Sequence, residues 1–107
     1  MAATPEAKVK AAVRKILDSY KPDLYYFSPA ANGYGRVGIP DIICCVGGRF
    51  LAIECKAGRN SLTVRQKAEL DGIYLAKGTT LVIYEGDEDA VRVIVQTFLG
   101  ERSNDPG

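Results

Sequence analysis

The sequence contains no histidine, and this absence excludes several kinds of active site. Ser-His-Asp and Cys-His nucleophilic schemes need an imidazole as the general base, and many zinc sites use one as a ligand. A structural zinc site is not expected either, because the three cysteines form no C-x-x-C pair. Any catalysis in this chain must therefore depend on carboxylates, lysine, tyrosine or an unassisted thiol.

The chain also lacks the features of an exported or membrane-bound protein. Three cysteines, with Cys44 and Cys45 adjacent, do not form a disulfide framework, and we expect this adjacent pair to be core residues. No run approaches the roughly 18 apolar residues that span a membrane. Residues 1–10 have no apolar segment of the kind found in signal peptides. We therefore expect a cytoplasmic (intracellular) protein with no membrane partner.

Charge is distributed unevenly along the 107 residues, although the net charge is only +1. Residues 1–77 carry 12 of the 14 Lys and Arg residues and 7 of the 13 Asp and Glu residues, a balance of +5. Residues 78–107 have a balance of −4. This distribution favours a basic surface that meets phosphates. An ordinary solvated surface explains it equally well before motifs are considered.

Apolar periodicity and turn residues predict an α/β domain with a mixed sheet, in the order α-β-β-β-α-β-α. The predicted elements are a helix from Thr4-Pro5-Glu6 to about Tyr20, strands over 24–28, 41–46 and 49–56, a helix over 63–77 capped by Gly78, a strand over 79–84, and a helix on Val91, Ile94, Val95, Phe98 and Leu99. We expect residues 41–46 to be buried on both faces. The helical crossover should make the last strand parallel to a neighbour. Residues 1–100 form the predicted single domain, and residues 101–107 a disordered tail.

Three residues of the predicted hairpin could carry chemistry together. Counting outward from the Gly47-Gly48 turn pairs Asp41 with about Glu54, and Lys56 lies on the same face of its strand as Glu54. Two carboxylates and a backbone carbonyl, for which Cys55 is well placed, are hard oxygen ligands suited to Mg²⁺ or Mn²⁺. An exposed Glu-Lys pair and an acid at a strand start are the structural alternative.

The combination of motifs resembles a known family. Gly38-Ile39-Pro40-Asp41, then Ile53-Glu54-Cys55-Lys56 after about a dozen residues, then a helix beginning Thr63-Val64-Arg65-Gln66, is similar to the PD-(D/E)XK nuclease superfamily and to its virus-type replication-repair nuclease (VRR-NUC) family. The resemblance implies a restriction-endonuclease-like fold for residues 1–100. It also implies that Asp41 and Glu54 bind metal, that Lys56 is the catalytic lysine and that Gln66 lies in the active site.

Other candidate residues keep two interpretations. Gln66 is also the acceptor half of a capping box, and Glu6 is either a further metal ligand, as the family's first helix suggests, or an acid that stabilises a helix start. Asn32, Tyr34 and Arg36 lie in a glycine-rich loop. We expect this loop to approach DNA, with Arg36 on a phosphate and Tyr34 on a base. A simply flexible loop is the alternative.

The resemblance implies a divalent-metal-dependent DNA endonuclease that acts on branched DNA such as four-way (Holliday) junctions. Stand-alone members of the resembled family look like homodimeric enzymes, so we expect a homodimer here. Four aromatic residues that look exposed in the sequence would leave apolar surface for a dimer: Tyr25, Tyr26, Phe27 and Phe98. Three alternatives remain. They are a flap or nicked-duplex nuclease subunit of a larger complex, a non-catalytic DNA-binding module with the same fold, and a small interaction protein with a coincidental E-x-K.

Overall fold

The structure is a computed structural model that describes residues 4–30 and 36–103, without the side chains of residues 102 and 103. Its elements are α1 (Pro5–Asp18), β1 (Leu24–Phe27), β2 (Ile42–Val46), β3 (Arg49–Lys56), α2 (Val64–Leu75), β4 (Thr79–Tyr84) and α3 (Ala90–Ser103). The predicted α/β class and element order are confirmed. None of these helices is both long and apolar enough to cross a membrane.

The four strands form one mixed sheet in the order β1-β2-β3-β4. The β1–β2 and β2–β3 pairs are antiparallel, and β3 and β4 are parallel, as the helical crossover predicts. Gly47 and Gly48 both have positive φ angles, which a two-residue hairpin turn needs. The turn pairs Val46 with Arg49 and Ile42 with Ile53. The predicted hairpin register is therefore confirmed.

One face of the sheet is covered by α1 and α3. Helix α1 begins where Thr4 accepts a hydrogen bond from the Ala7 N–H at 3.1 Å, with Pro5 in the first turn. It presents an apolar stripe to the strands. The buried core combines residues of α1, α3 and the sheet: Val9, Val13, Ile16, Leu17, Leu24, Ile42, Cys44, Val46, Leu51, Ile53, Cys55, Ile83, Val91, Val95 and Phe98. Phe98 is thus a core residue, and the expectation that its ring is exposed is wrong.

The other face is only partly covered, because α2 packs against the β4 side of the sheet. Tyr25, Cys45 and Phe50 are neighbours across three strands and are all exposed, as is Phe27. We call these four residues the open sheet face. The predictions that residues 41–46 are buried on both faces and that Cys45 is a core residue are therefore wrong. Within residues 4–30 and 36–103, no helix lies over the β1–β2 side of this face to cover the thiol.

Two helix ends differ from the prediction. Helix α2 ends at Leu75, and Lys77 takes the left-handed conformation (φ 75°) while the Gly78 N–H donates to the Ile73 carbonyl at 2.9 Å. This is a Schellman ending with lysine in the position that glycine usually takes. Helix α3 continues past the predicted tail start, and Glu101 forms an ion pair with Arg49. Residues 104–107 lie outside the described residues.

Gly78 lies one residue after Lys77, which takes the left-handed conformation, and the backbone of Gly78 is tightly packed. A Cβ there would lie 2.6 Å from Ile73 Cγ2 and 3.1 Å from Phe50 Cδ1, whereas a Cβ on Gly72 would meet nothing within 4 Å. Gly78→Ala should therefore destabilise the fold by about 1–3 kcal/mol through overpacking. Gly72→Ala, inside α2, should stabilise it by about 0.5–1 kcal/mol. Chemical denaturation measures both, and effects of the same sign would contradict the packing described here.

Candidate active site

The β2–β3 hairpin brings Asp41 and Glu54 together at one end of the sheet. Asp41 immediately precedes the Ile42–Ile53 pair, so the hairpin register places it opposite Glu54. The carboxylate of Asp41 is fixed there, since its Oδ2 accepts a hydrogen bond from the backbone N–H of Cys55 at 2.8 Å. The sequence predicts the carboxylate pair but not this hydrogen bond, because only the folded hairpin shows which amide is within reach.

A third carboxylate reaches the same place from α1. Carboxylate oxygens of Glu6, Asp41 and Glu54 all lie within 4.8 Å of one another. Glu6 occupies the first turn of α1, where an acid also favours the positive end of the helix dipole. The two interpretations of Glu6 are therefore compatible. We call these three residues the acidic cluster.

Glu54 is the most unusual member of the acidic cluster. Its side chain is only 1% exposed, and Oε2 has no hydrogen-bond partner among the described residues. Burial raises the pKa of Glu54 to about 9, aided by a hydrogen bond to Asp41 and by that residue's negative charge. The ammonium of Lys56, itself only 6% exposed, opposes this shift. In the metal-free protein Glu54 therefore holds a proton at neutral pH.

These properties fit a divalent cation. A buried carboxylate oxygen without a partner costs free energy, and a cation between the three acids would satisfy it and balance their charge. The donors are hard oxygens, which suit Mg²⁺ or Mn²⁺. Glu6, Asp41 and Glu54 would hold the ion. The backbone carbonyl of Cys55 remains a predicted ligand.

Thiol chemistry is disfavoured at this end of the sheet. Burial raises the pKa values of Cys44 and Cys55 to about 12, so both stay protonated near neutral pH. All three cysteines are free, and Cys45 is exposed on the open sheet face. The chemistry of the site therefore depends on the acidic cluster and Lys56.

The remaining candidates have mixed outcomes. The Gln66 Oε1 accepts from the Thr63 N–H at 2.9 Å, and Thr63 Oγ1 accepts from the Gln66 N–H at 3.1 Å. These two bonds form the capping box, so the interpretation of Gln66 as a capping residue is confirmed. A role of Gln66 in the site stays a prediction. Arg36 forms an ion pair with Glu69. Asn32 and Tyr34 lie outside the described residues.

A glycine that the motif contains but that sequence reasoning left unexplained also shapes the site. Gly38 has φ +86°, and a Cβ there would lie 2.6–2.8 Å from backbone atoms of Arg65 and Gln66. The segment leading to Asp41 therefore packs directly on the first turn of α2. The signal available in the sequence was a glycine three residues before the acid, which only a close approach or a left-handed backbone requires.

The protonation of Glu54 predicts a pH dependence of stability. Between the ordinary pKa of 4.5 and about 9, the folded protein binds a proton at Glu54 that the unfolded chain has lost. Stability should therefore fall as pH rises through this interval, by at most about 1.4 kcal/mol per pH unit. Glu54→Gln carries no such proton. The unfolding free energy of Glu54→Gln minus that of wild type, both measured with EDTA, should increase from pH 5 to pH 8. A difference that stays constant over this range would contradict the assigned protonation.

Comparison with known proteins supports the fold described above. No protein-family model matches the sequence, and no curated protein is significantly similar to it. A solved structure described as a "VRR_NUC domain" superposes with a TM-score of 0.66 at 16% sequence identity, covering 88% of this chain and 97% of that one. The resemblance predicted from the motifs is thus confirmed at the level of the fold, and this chain has the fold of a VRR_NUC domain.

Proposed function

We propose that this protein is a divalent-metal-dependent endonuclease that hydrolyses DNA phosphodiesters. The observation that carries the proposal is the acidic cluster, whose buried Glu54 has an unpartnered oxygen and lies beside the buried Lys56. The VRR_NUC-type fold is a second observation that supports a nuclease. The residue roles are part of the same proposal.

Each residue of the site has a distinct proposed role. A bound Mg²⁺ or Mn²⁺ would supply Lewis-acid stabilisation of the phosphate and a more acidic water. Asp41 and Glu54, with Glu6, would hold the ion, and the Cys55 N–H keeps Asp41 oriented. Lys56 orients the attacking water or neutralises charge on the phosphate as the bond to the leaving oxygen breaks.

We propose branched DNA, and four-way junctions in particular, as the substrate. We expect the α-β-β-β-α-β-α core to select DNA by its shape rather than by its base sequence. A flap or nicked-duplex nuclease acting in a larger complex is the alternative. A non-catalytic DNA-binding module is disfavoured, because a buried acidic cluster beside DNA phosphates would weaken binding and serve no purpose.

The proposed active form is a homodimer, because two equivalent sites would let both strands of a symmetric junction be cut. The open sheet face supports this proposal. Tyr25, at 68% exposed, lies in one row with Cys45 and Phe50. Contiguous exposed aromatics of this kind are typical of surfaces that bind another protein.

Conservative changes at the site should abolish cleavage without unfolding the protein. Asp41→Asn and Glu54→Gln keep the side-chain shape but lose the charge that holds the ion, so cleavage of a four-way junction with Mg²⁺ should fall by at least about 100-fold. Lys56→Ala should lose most activity, and Lys56→Arg should retain a little, since charge survives but geometry does not.

Lys15→Ala is a matched control for Lys56→Ala, because Lys15 is an exposed lysine in the last turn of α1. Arg49 is unsuitable, since its guanidinium lies 4.1 Å from the centre of the Phe98 ring and also pairs with Glu101. Near-normal cleavage by Asp41→Asn or Glu54→Gln would overturn the assignment. Equal rates on linear duplex and junction would overturn the substrate proposal alone.

The dimer can be tested by light scattering at micromolar concentration. The wild type should have about twice the 11.6 kDa mass of one chain, and an obligate interface should bury on the order of 1,000 Å² or more. Tyr25→Ser or Phe50→Ser should shift the protein to single chains. Val93→Ser removes an exposed apolar residue from α3 and should leave the mass unchanged. A single-chain mass with full junction cleavage would exclude the dimer and favour the flap or nicked-duplex alternative.

A further inference from the structure

A groove with charged residues in its walls lies between the segment that leads to Asp41 and the first turns of α2. Its volume is about 490 Å³, and its walls are formed by Arg36, Val37, Arg65, Ala68 and Glu69. None of the site roles proposed above uses Arg65, Ala68 or Glu69. The groove therefore needs its own explanation.

The groove adjoins the segment of chain that leads to Asp41. Gly38 packs on the backbone of Arg65 with no room for a side chain, and it precedes Asp41 by three residues. Three residues of extended chain span at most about 11 Å. One strand of B-DNA advances about 3.4 Å along the helix axis per nucleotide. The Gly38–Arg65 contact therefore lies within about 11 Å of Asp41, a length that corresponds to roughly three nucleotides.

The charges in the groove are unevenly satisfied. Arg36 Nε lies 3.0 Å from Glu69 Oε1, and the arginine side chain is 79% exposed while that of Glu69 is 22% exposed. The side chain of Arg65 is exposed, and its guanidinium has no hydrogen-bond or ion-pair partner in the part of the chain that the structure describes. The groove thus presents one uncommitted guanidinium and one that is held by a carboxylate.

We propose that this groove binds the DNA backbone next to the cleaved phosphate, and that Glu69 is a gatekeeper for Arg36. Arg65 contacts a phosphate directly. Arg36 leaves Glu69 when DNA arrives and transfers its hydrogen bonds to a phosphate oxygen. This proposal rests on the proposed nuclease function and adds to it two residues, Arg65 as a binding residue and Glu69 as a carboxylate that competes with DNA.

The exchange is favourable on general grounds. An ion pair with a solvent-exposed arginine contributes little to stability, whereas guanidinium–phosphate contacts are charge-assisted, frequently bidentate, and release counterions. Glu69 nevertheless opposes binding, because after the exchange its half-buried carboxylate faces the phosphate without a partner. Removing its charge should therefore tighten DNA binding, while removing either arginine should weaken it.

The test measures binding rather than cleavage, so Glu54→Gln serves as the cleavage-inactive parent. Fluorescence anisotropy of a labelled four-way junction gives Kd at several salt concentrations. Each phosphate contact contributes about 0.9 to the slope of log Kd against log salt, which corresponds to about fivefold in Kd near 0.15 M salt. Arg65→Ala and Arg36→Ala should each lower the slope by about 0.9 and raise Kd by about fivefold. Glu69→Gln should lower Kd severalfold.

Two variants are matched controls. Arg92→Ala removes an arginine that is paired with Asp89 on the far side of the chain, and Asp71→Asn removes an acid that is paired with Lys67 on α2 itself. Asp71→Asn changes the helix charge as Glu69→Gln does but lies outside the groove, so it should have little effect. Circular dichroism confirms that each variant is folded.

The outcomes separate the inference from the proposed function. If Arg65→Ala matches Arg92→Ala while the wild type still cleaves DNA, the groove does not bind the backbone and only the inference fails. If Glu69→Gln tightens binding no more than Asp71→Asn does, the gatekeeper role is wrong. If the parent does not bind the junction at all and the wild type does not cleave it, the inference and the proposed function fail together.

Discussion

Asp41 and Glu54 would repel each other if both were ionised, and the architecture of the β2–β3 hairpin holds them side by side. The glycine turn sets the register that places them opposite each other, and the Cys55 N–H anchors one of them. Burial then forces the second to keep a proton unless a cation replaces it. The buried Glu54 thus lowers the stability of this end of the sheet. A buried carboxylate with an unpartnered oxygen is costly in the metal-free fold, and a divalent cation would satisfy it.

The two faces of the sheet divide the remaining tasks. Helices α1 and α3 cover one face and supply the packing that tolerates a costly site, and α1 also contributes Glu6. Helix α2 covers the other face only near β4. Its first turn supports the segment leading to Asp41 through the close contact at Gly38. The uncovered part of that face remains available to a second chain, and the groove beside α2 to the backbone of a nucleic acid.

What the sequence could predict depended on how local the determining contacts are. The hairpin register followed from Gly47-Gly48 and the strand period, so Asp41 and Glu54 were paired correctly. The exposure of Cys45 and the burial of Phe98 depend on which strands each helix covers, and strand patterns do not encode this. The end of α2 was misplaced because Gly78 is needed for packing against Ile73 rather than for a left-handed turn. Likewise, the protonation of Glu54 arises from burial by several elements together.

If Glu6, Asp41 and Glu54 form one cation site, the metal-free protein should bind Mn²⁺ in a way that depends on Glu54, and this binding can be measured directly. Electron paramagnetic resonance of the free ion at neutral pH gives the isotherm. The wild type should bind Mn²⁺, and Glu54→Gln should bind it at least about tenfold more weakly. Asp89→Asn, which removes a highly exposed acid before α3, should behave like wild type. Identical isotherms for wild type and Glu54→Gln, or no binding by either, would contradict the account.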